Sequence, residues 1–285
     1  MGTYIKLFRV KHYIKNGLVF LPLFFGGSTR NVNLMIISVL GFIVFSLSSS
    51  IVYIFNDIAD VEKDRLHPIK KNRPLAKGLI SVQQSYRFII LLAVAIIILI
   101  FYAHLNLWSQ AILALYILSN LAYSLKLKHY PIIDVSIIAL GFVLRVLFGG
   151  SIINIPISDW LILTIIAFSF YMAFGKRRNE IKKNGSESRS VLSKYSLNFL
   201  DKSMYVSETL LLVFYALWSL SNNSIVKNSH LLIWTVPLVI IIVFRYSLIL
   251  EKDNFGDPAD VLFSDKTLLS LSILYSLFLF YIYLV

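Results

Sequence analysis

The sequence predicts an all-α integral membrane protein with about nine transmembrane helices around a cytoplasm-facing cavity, in a single polytopic domain spanning 1–285. Three observations lead there. Hydrophobic residues make up 58% of the 285 residues and charged residues 15%, with a mean hydropathy of +0.76, whereas a soluble domain carries about 25% charged residues. Apolar runs of roughly 17–25 residues recur along the chain, the length that crosses a bilayer core. The basic residues also alternate between connections: 24 of the 27 Lys and Arg fall in every second one.

Taken in order, the predicted helices cover 15–27, 33–55, 83–103, 107–124, 132–150, 158–175, 204–220, 231–250 and 267–285. Residues 1–16 read as a basic amphipathic lead-in, with Lys6, Arg9, Lys11 and Lys15 set among Tyr4, Ile5, Leu7, Phe8 and Tyr13. A basic start before an apolar run is also the pattern of a signal peptide. Phe25-Gly26-Gly27-Ser28 is a poor cleavage site, however, and more helices follow. Outer connections hold only Arg30 and Lys227. By the positive-inside rule the N-terminus is cytoplasmic, nine spans put the C-terminus outside, and the protein is a multi-pass component of the cell membrane. The net charge of +12 is then a topology signal, so nucleic acid is not an expected partner. With no cysteine, disulfides, thiolate catalysis and thiolate-bound metals are excluded.

The acidic residues concentrate on the same side. Asn56-Asp57-Ile58-Ala59-Asp60-Val61-Glu62-Lys63-Asp64-Arg65 extends a very apolar helix. At 100° per residue, Asp57, Asp60 and Asp64 fall within about 60° of one helical face, and Asn56 joins Asp60 at i+4. Three aligned carboxylates repel one another unless a cation lies between them. Hard oxygen donors in that arrangement suit Mg²⁺, which binds a few carboxylates together with water and substrate phosphates. A solvated helix end balanced by Lys63 and Arg65 is the simpler alternative, but carboxylates at a membrane edge are costly and usually functional.

Basic groups follow at once. In His67-Pro68-Ile69-Lys70-Lys71-Asn72-Arg73-Pro74-Leu75-Ala76-Lys77-Gly78 the prolines set an extended turn. Lys70, Lys71, Arg73 and Lys77 are suited to phosphate contact. Lys126 and Lys128 follow Tyr123 at the end of another helix, and Asp134 opens the next. Arg145 lies about three turns deeper on the same helical face, too far for Asp134 to reach, and a buried membrane Arg needs a partner or an anion. Gly175-Lys176-Arg177-Arg178-Asn179-Glu180 is basic where a second acidic cluster would be expected. The segment Gly256–Asp265 holds three further acids and reads mainly as a structured loop. There is no Ser-His-Asp array, Walker loop or HExxH motif, and the five histidines are scattered.

These motifs resemble those of the UbiA-type intramembrane prenyltransferases and, more narrowly, the decaprenyl-phosphate phosphoribosyltransferases. The resemblance rests on Lys15-Asn16, on Asn56 to Asp64 followed by HPxKxxRP (His67 to Pro74), and on YSxxLK (Tyr123 to Lys128) with Asp134. It continues through Arg145 with Gly149-Gly150, GKRxxE (Gly175 to Glu180) and GDPxDVLxSD (Gly256 to Asp265), and so covers nearly the whole chain. Aromatic prenyltransferases carry a second aspartate-rich motif where this chain has Lys176-Arg177-Arg178. A basic replacement suits a donor with an additional phosphate.

The resemblance implies transfer of a 5-phosphoribosyl group from phosphoribosyl pyrophosphate to a polyprenyl phosphate lipid, with release of pyrophosphate, in cell-envelope polysaccharide precursor synthesis. It implies Mg²⁺ (one ion or two) held by Asp57, Asp60 and Asp64, with Asn56 beside them in the catalytic set. Substrate-binding residues are implied to be Lys15, Lys70, Arg73, Tyr123, Lys128, Asp134, Arg145, Lys176, Arg177 and Glu180. A prenyltransferase acting on a prenyl diphosphate and an aromatic or other acceptor is the alternative within enzymes. An ion transporter would place carboxylates at mid-bilayer and charge on both sides, and a scaffold has no use for aligned acids.

Overall fold

The computed structural model describes residues 2–66, 70–185, 191–221, 229–252, 261–262 and 264–284. His67 to Ile69, Lys227 and Gly256 to Asp260, all singled out above, lie outside the described residues. The α-helices are α1 (Gly2–Leu7), α2 (Leu21–Phe25), α3 (Val32–Ala59), α4 (Val61–Leu66), α5 (Val82–Tyr102), α6 (Leu107–Leu125), α7 (Ile133–Ile153), α8 (Asp159–Asn184), α9 (Leu197–Leu220), α10 (Thr235–Lys252) and α11 (Lys266–Leu284). Among the described residues there is no strand.

Among the described residues, seven helical stretches are long and apolar enough to cross a membrane: α3, α5, α7, Asp159–Lys183 of α8, α9, His230–Glu251 and Lys266–Tyr283. α6 has 19 residues, but Ser109, Gln110, Ser119 and Asn120 dilute its apolar character. The predicted first span differs more. Val10–Phe20 winds as a 3-10 helix, and only Leu21–Phe25 is α-helical. Gly17 loosens this stretch, and Pro22 is tolerated only within a helix's first turn. α8 runs past the predicted end at 175 to Asn184, and α9 starts at Leu197, capped by the Ser196 hydroxyl on the Phe199 N–H.

The chain forms two compact units. The first comprises Met1–Leu23, Ser28–Lys128 and Leu144–Pro156. Here α3 packs on α5, α6 and the 3-10 segment. Its serine-rich stretch satisfies itself: Ser48 donates to the Val44 carbonyl at 2.9 Å and Ser49 to that of Ser46 at 2.8 Å, which removes unpaired donors from an apolar medium. A Cβ on Gly149 would meet the Val19 carbonyl oxygen at 2.1 Å. Only glycine therefore lets the 3-10 segment lie against that turn of α7.

The second unit comprises Phe24–Gly27, His129–Val143 and Ile157–Val285. In it α8 packs along α9, with α10 and α11 paired. Its core gathers Val135, Tyr171, Phe174, Leu192, Leu200 and Leu250 among others. Both units are built from helices whose apolar faces can be buried only against other helices or lipid.

Candidate active site

The first unit carries the acid cluster. α3 has a mean hydropathy of 2.3 and delivers Asn56 and Asp57 at its last turn. The α-helix stops at Ala59. The Asp60 N–H donates back to the carbonyls of Asn56 and Ile58, and the Asp60 carbonyl accepts from the Asp64 N–H at 2.8 Å to start α4. The three acids thus do not share one continuous helical face, because the chain breaks at the middle one.

Each acid has a cation of the protein's own. Arg9 Nη2 donates to Asp57 Oδ1. Arg73 Nη1 lies 3.1 Å from Asp57 Oδ1 and 2.5 Å from Asp64 Oδ2. Lys128 Nζ lies 2.6 Å from Asp60 Oδ1. Asp57 and Asp64 are buried and Asp60 is half-buried.

Arg73 sits in the turn closed by the Lys77 N–H on its carbonyl, with Gly78 at φ +74° completing it. Lys128 comes from the 3-10 turn Leu127–His129 after α6. Lys15, Lys70 and Tyr123 are half-buried in this unit, and Lys70 opens the 3-10 turn Lys70–Asn72.

Deeper in the same unit lies Arg145. Its Nε donates to Asn16 Oδ1 at 2.8 Å and its Nη2 to the Tyr116 hydroxyl at 3.2 Å. Its guanidinium lies 5.1 Å from the ring centres of both Phe45 and Tyr116. Asn16 also donates to Ser46 at 3.1 Å and Ser49 at 3.2 Å. Hydrogen bonds and ring faces together make a charge tolerable at that depth.

The second unit holds a different constellation. Asp134, fully buried at the start of α7, accepts from Arg177 Nε at 2.6 Å and from the Tyr195 hydroxyl at 2.7 Å. The Tyr195 oxygen in turn accepts the Ile132 N–H at 2.6 Å, and Ile132 has φ +68°, rare for a β-branched residue. Arg177 Nη1 reaches Glu180 Oε2 at 2.6 Å. Burial, and the hydrogen bond given to the Asp134 carboxylate, push the Tyr195 hydroxyl well above its usual range.

Within the basic run, Arg177 and Arg178 are buried. Arg178 pairs with Asp201 and reaches the Leu250 carbonyl at 3.4 Å. Lys176 and Glu180 are half-buried. Asp134 and Arg177 therefore spend their polar atoms on groups inside the protein, which suits positioning rather than contact with a ligand.

Among the described residues no three His, Cys, Asp or Glu side chains converge closely enough to hold a metal by themselves. The expected three-carboxylate set is thus not preformed, because Asp60 is turned to Lys128. Two of its members do fit a divalent ion. Asp57 and Asp64 aim hard oxygens at a single point, now filled by an Arg73 nitrogen. Mg²⁺ is bound in this way, by one or two carboxylates with the remaining positions left to water and phosphate.

Arg9, with Tyr53 4.7 Å from its guanidinium carbon to the ring centre, Tyr116 and Tyr195 belong to these constellations but carry no motif in the sequence. Arg9 was visible only as one of several lead-in cations. Tyr195 gave no signal, since its partners lie 61 and 63 positions away.

The chain is 32% identical over 278 residues to the decaprenyl-phosphate phosphoribosyltransferase of Mycolicibacterium smegmatis, covering 93% of this chain and 87% of that one. It is 35% identical over 271 residues to the enzyme of the same name from Corynebacterium glutamicum, covering 93% and 81%. Among solved structures it resembles a UbiA homolog from Archaeoglobus fulgidus, bound in that structure to GPP and Mg²⁺. The TM-score is 0.71 at 19% identity, covering 99% of this chain and 100% of that one. The model of the UbiA prenyltransferase family matches residues 17–271, so the chain belongs to the UbiA prenyltransferase family.

Proposed function

We propose that this protein transfers a 5-phosphoribosyl group from phosphoribosyl pyrophosphate to a polyprenyl phosphate. The bond from the anomeric carbon to the pyrophosphate oxygen breaks, and a bond from that carbon to a lipid phosphate oxygen forms. The relatives' activity, named at 32% and 35% identity over most of both chains, supports the choice of substrates. The observation that carries the site is the pair Asp57 and Asp64, facing one cation at the end of an apolar helix.

Asp57 and Asp64 would hold Mg²⁺, which when bound offsets the charge gathering on the departing pyrophosphate. Arg73 and Lys128 are placed to take phosphate oxygens as the carboxylates they now serve are engaged. Asp60 and Asn56 hold the helix break that separates the two metal-facing acids. The lipid phosphate enters as an anion, so no general base is needed. Asp134, Tyr195 and Glu180 fix Arg177, and with it the entry to α7. Lys15, Lys70 and Tyr123 of the first unit, and Lys176 of the second, are half-buried and would contact phosphate oxygens, and Arg145 stabilises the interior through Asn16.

The reading includes nine membrane crossings with the N-terminus and site cytoplasmic. The partition of basic residues supports it. So does α6, whose 19 residues span roughly 28 Å, close to a bilayer core.

The test uses purified protein, Mg²⁺, radiolabelled phosphoribosyl pyrophosphate and a polyprenyl phosphate. Label is expected in the lipid extract. Absence of lipid label, together with turnover of a prenyl diphosphate and an aromatic acid, would replace this reading with aromatic prenyl transfer.

A further inference from the structure

Asp57 Oδ1 is served twice, by Arg73 and by Arg9. Arg73 is also tied to Asp64, while Arg9 is seated differently. Its guanidinium carbon lies 4.7 Å from the centre of the Tyr53 ring, one turn before Asp57 on α3. A further turn back, the Tyr13 hydroxyl meets Ser50 at 2.7 Å, and the Ser50 hydroxyl also contacts the Phe8 carbonyl at 2.9 Å. Phe8 and Tyr4 pack edge-on against Phe88 of α5. The lead-in is thus pinned on both sides of Arg9, along the face of α3 that ends in the acid cluster.

Arg9 itself has φ 51° and ψ 46°. This left-handed conformation is uncommon for a side chain of that size, and such outliers collect at binding and switch positions. It forms the joint between α1 and the 3-10 segment.

We infer that Arg9 is an exchangeable counter-ion of the site: it gives up Asp57 when a divalent cation binds and turns to the diphosphate of the donor. This rests on the proposed function above. A divalent ion on Asp57 Oδ1 would stand at contact distance from a guanidinium on the same oxygen, and the two like charges repel. An arriving diphosphate reverses the preference, since a guanidinium fork matches phosphate oxygens in pairs. The Tyr53 face holds the guanidinium beside the cluster in either state, because cation–π attraction does not require the carboxylate. Arg9 thereby becomes a substrate-binding residue supplied by a segment outside the acid motif, and it couples metal loading to donor binding.

The experiment measures Mn²⁺ binding to the full chain in detergent by electron paramagnetic resonance, first alone and then with pyrophosphate. Wild type, Arg9→Gln, Arg9→Lys and the control pair Asp57→Asn and Asp64→Asn are compared, each checked by thermal unfolding. Arg9→Gln should bind Mn²⁺ alone more tightly, by about tenfold, having lost the competitor. It should also bind pyrophosphate in the presence of Mn²⁺ about tenfold more weakly, the usual scale of a charge-assisted hydrogen bond. Arg9→Lys keeps the charge but loses the fork. It should match wild type for Mn²⁺ alone and bind pyrophosphate more weakly.

A merely structural Arg9 would weaken both affinities in both variants, and a spectator would change neither. Either result overturns the inference while leaving the metal site intact. Mn²⁺ binding that survives unchanged in Asp57→Asn and Asp64→Asn would overturn the exchange and the metal reading together.

Discussion

The two units each join carboxylates to guanidinium groups, but they hold them differently. In the first unit the cations come from the lead-in, a turn and a helix end. Their side chains keep 18% (Arg9), 25% (Arg73) and 15% (Lys128) of their exposure. In the second unit Arg177 and Asp134 are exposed by only 1% and 0%, and every contact given above goes to protein. Partly hydrated pairs can exchange partners at little cost, whereas a sealed pair cannot be opened without stranding a charge. The same residue types thus make a responsive site in one place and a rigid joint in the other.

The sharpest contrast lies in what a single carboxylate deletion removes. Asp57→Ala should lower phosphoribosyl transfer about a thousandfold, the scale for loss of preorganised charge stabilisation, while the protein still inserts and remains monodisperse. Rates close to wild type would show that the first cluster is structural as well. Asp134→Ala should act on stability, lowering it by about 3–5 kcal/mol because Arg177 is left buried without its partner. Unfolding in detergent measures this. The double change Asp134→Leu with Arg177→Met should recover most of the loss. If the single variants are as stable as wild type, the second cluster is not a sealed joint.

Tyr195→Phe is a smaller perturbation, about 1 kcal/mol for one hydrogen bond, and it carries a pH signature. The Tyr195 hydroxyl is raised above its ordinary value of 10.0. Below that value both folded and unfolded chains keep the proton, and the contribution is complete. As pH rises beyond it, the unfolded chain ionises first and folding loses its advantage. The stability difference between wild type and Tyr195→Phe should therefore shrink above about pH 10. A constant difference would remove the assigned partner. Smallest of all, Arg65→Ala breaks a pair with Glu62 whose side chains are 51% and 77% exposed, and should shift stability by less than about 0.5 kcal/mol.

The membrane class and most helix positions could be read from the sequence, because apolar length is a local property of the chain. The acid cluster was also visible, being ten consecutive residues from Asn56 to Arg65. What escaped was nonlocal or depended on small differences in backbone. Gly17 and Pro22 weaken an α-helix around Val10–Phe20, but no local pattern specifies a 3-10 winding in its place. The break at Asp60 depends on where α3 ends, and a pattern of side chains fixes such ends poorly. Lys128 meets Asp60 across 68 positions, and Arg9 meets Asp57 across 48. The sequence points Lys176 and Arg177 toward phosphate, because a charge pattern cannot show that Asp134 folds back onto Arg177, or Asp201 onto the neighbouring Arg178.

The most direct measurement follows the label from phosphoribosyl pyrophosphate into polyprenyl phosphate, with Mg²⁺ present, after chelation, and after Mg²⁺ is restored. Lipid label that appears, vanishes with the chelator and returns with the metal in wild type, yet stays absent in Asp57→Ala throughout, is the expected result. Lipid label that persists through chelation, or that Asp57→Ala forms as fast as wild type, would contradict a metal-assisted departure of pyrophosphate at the end of α3.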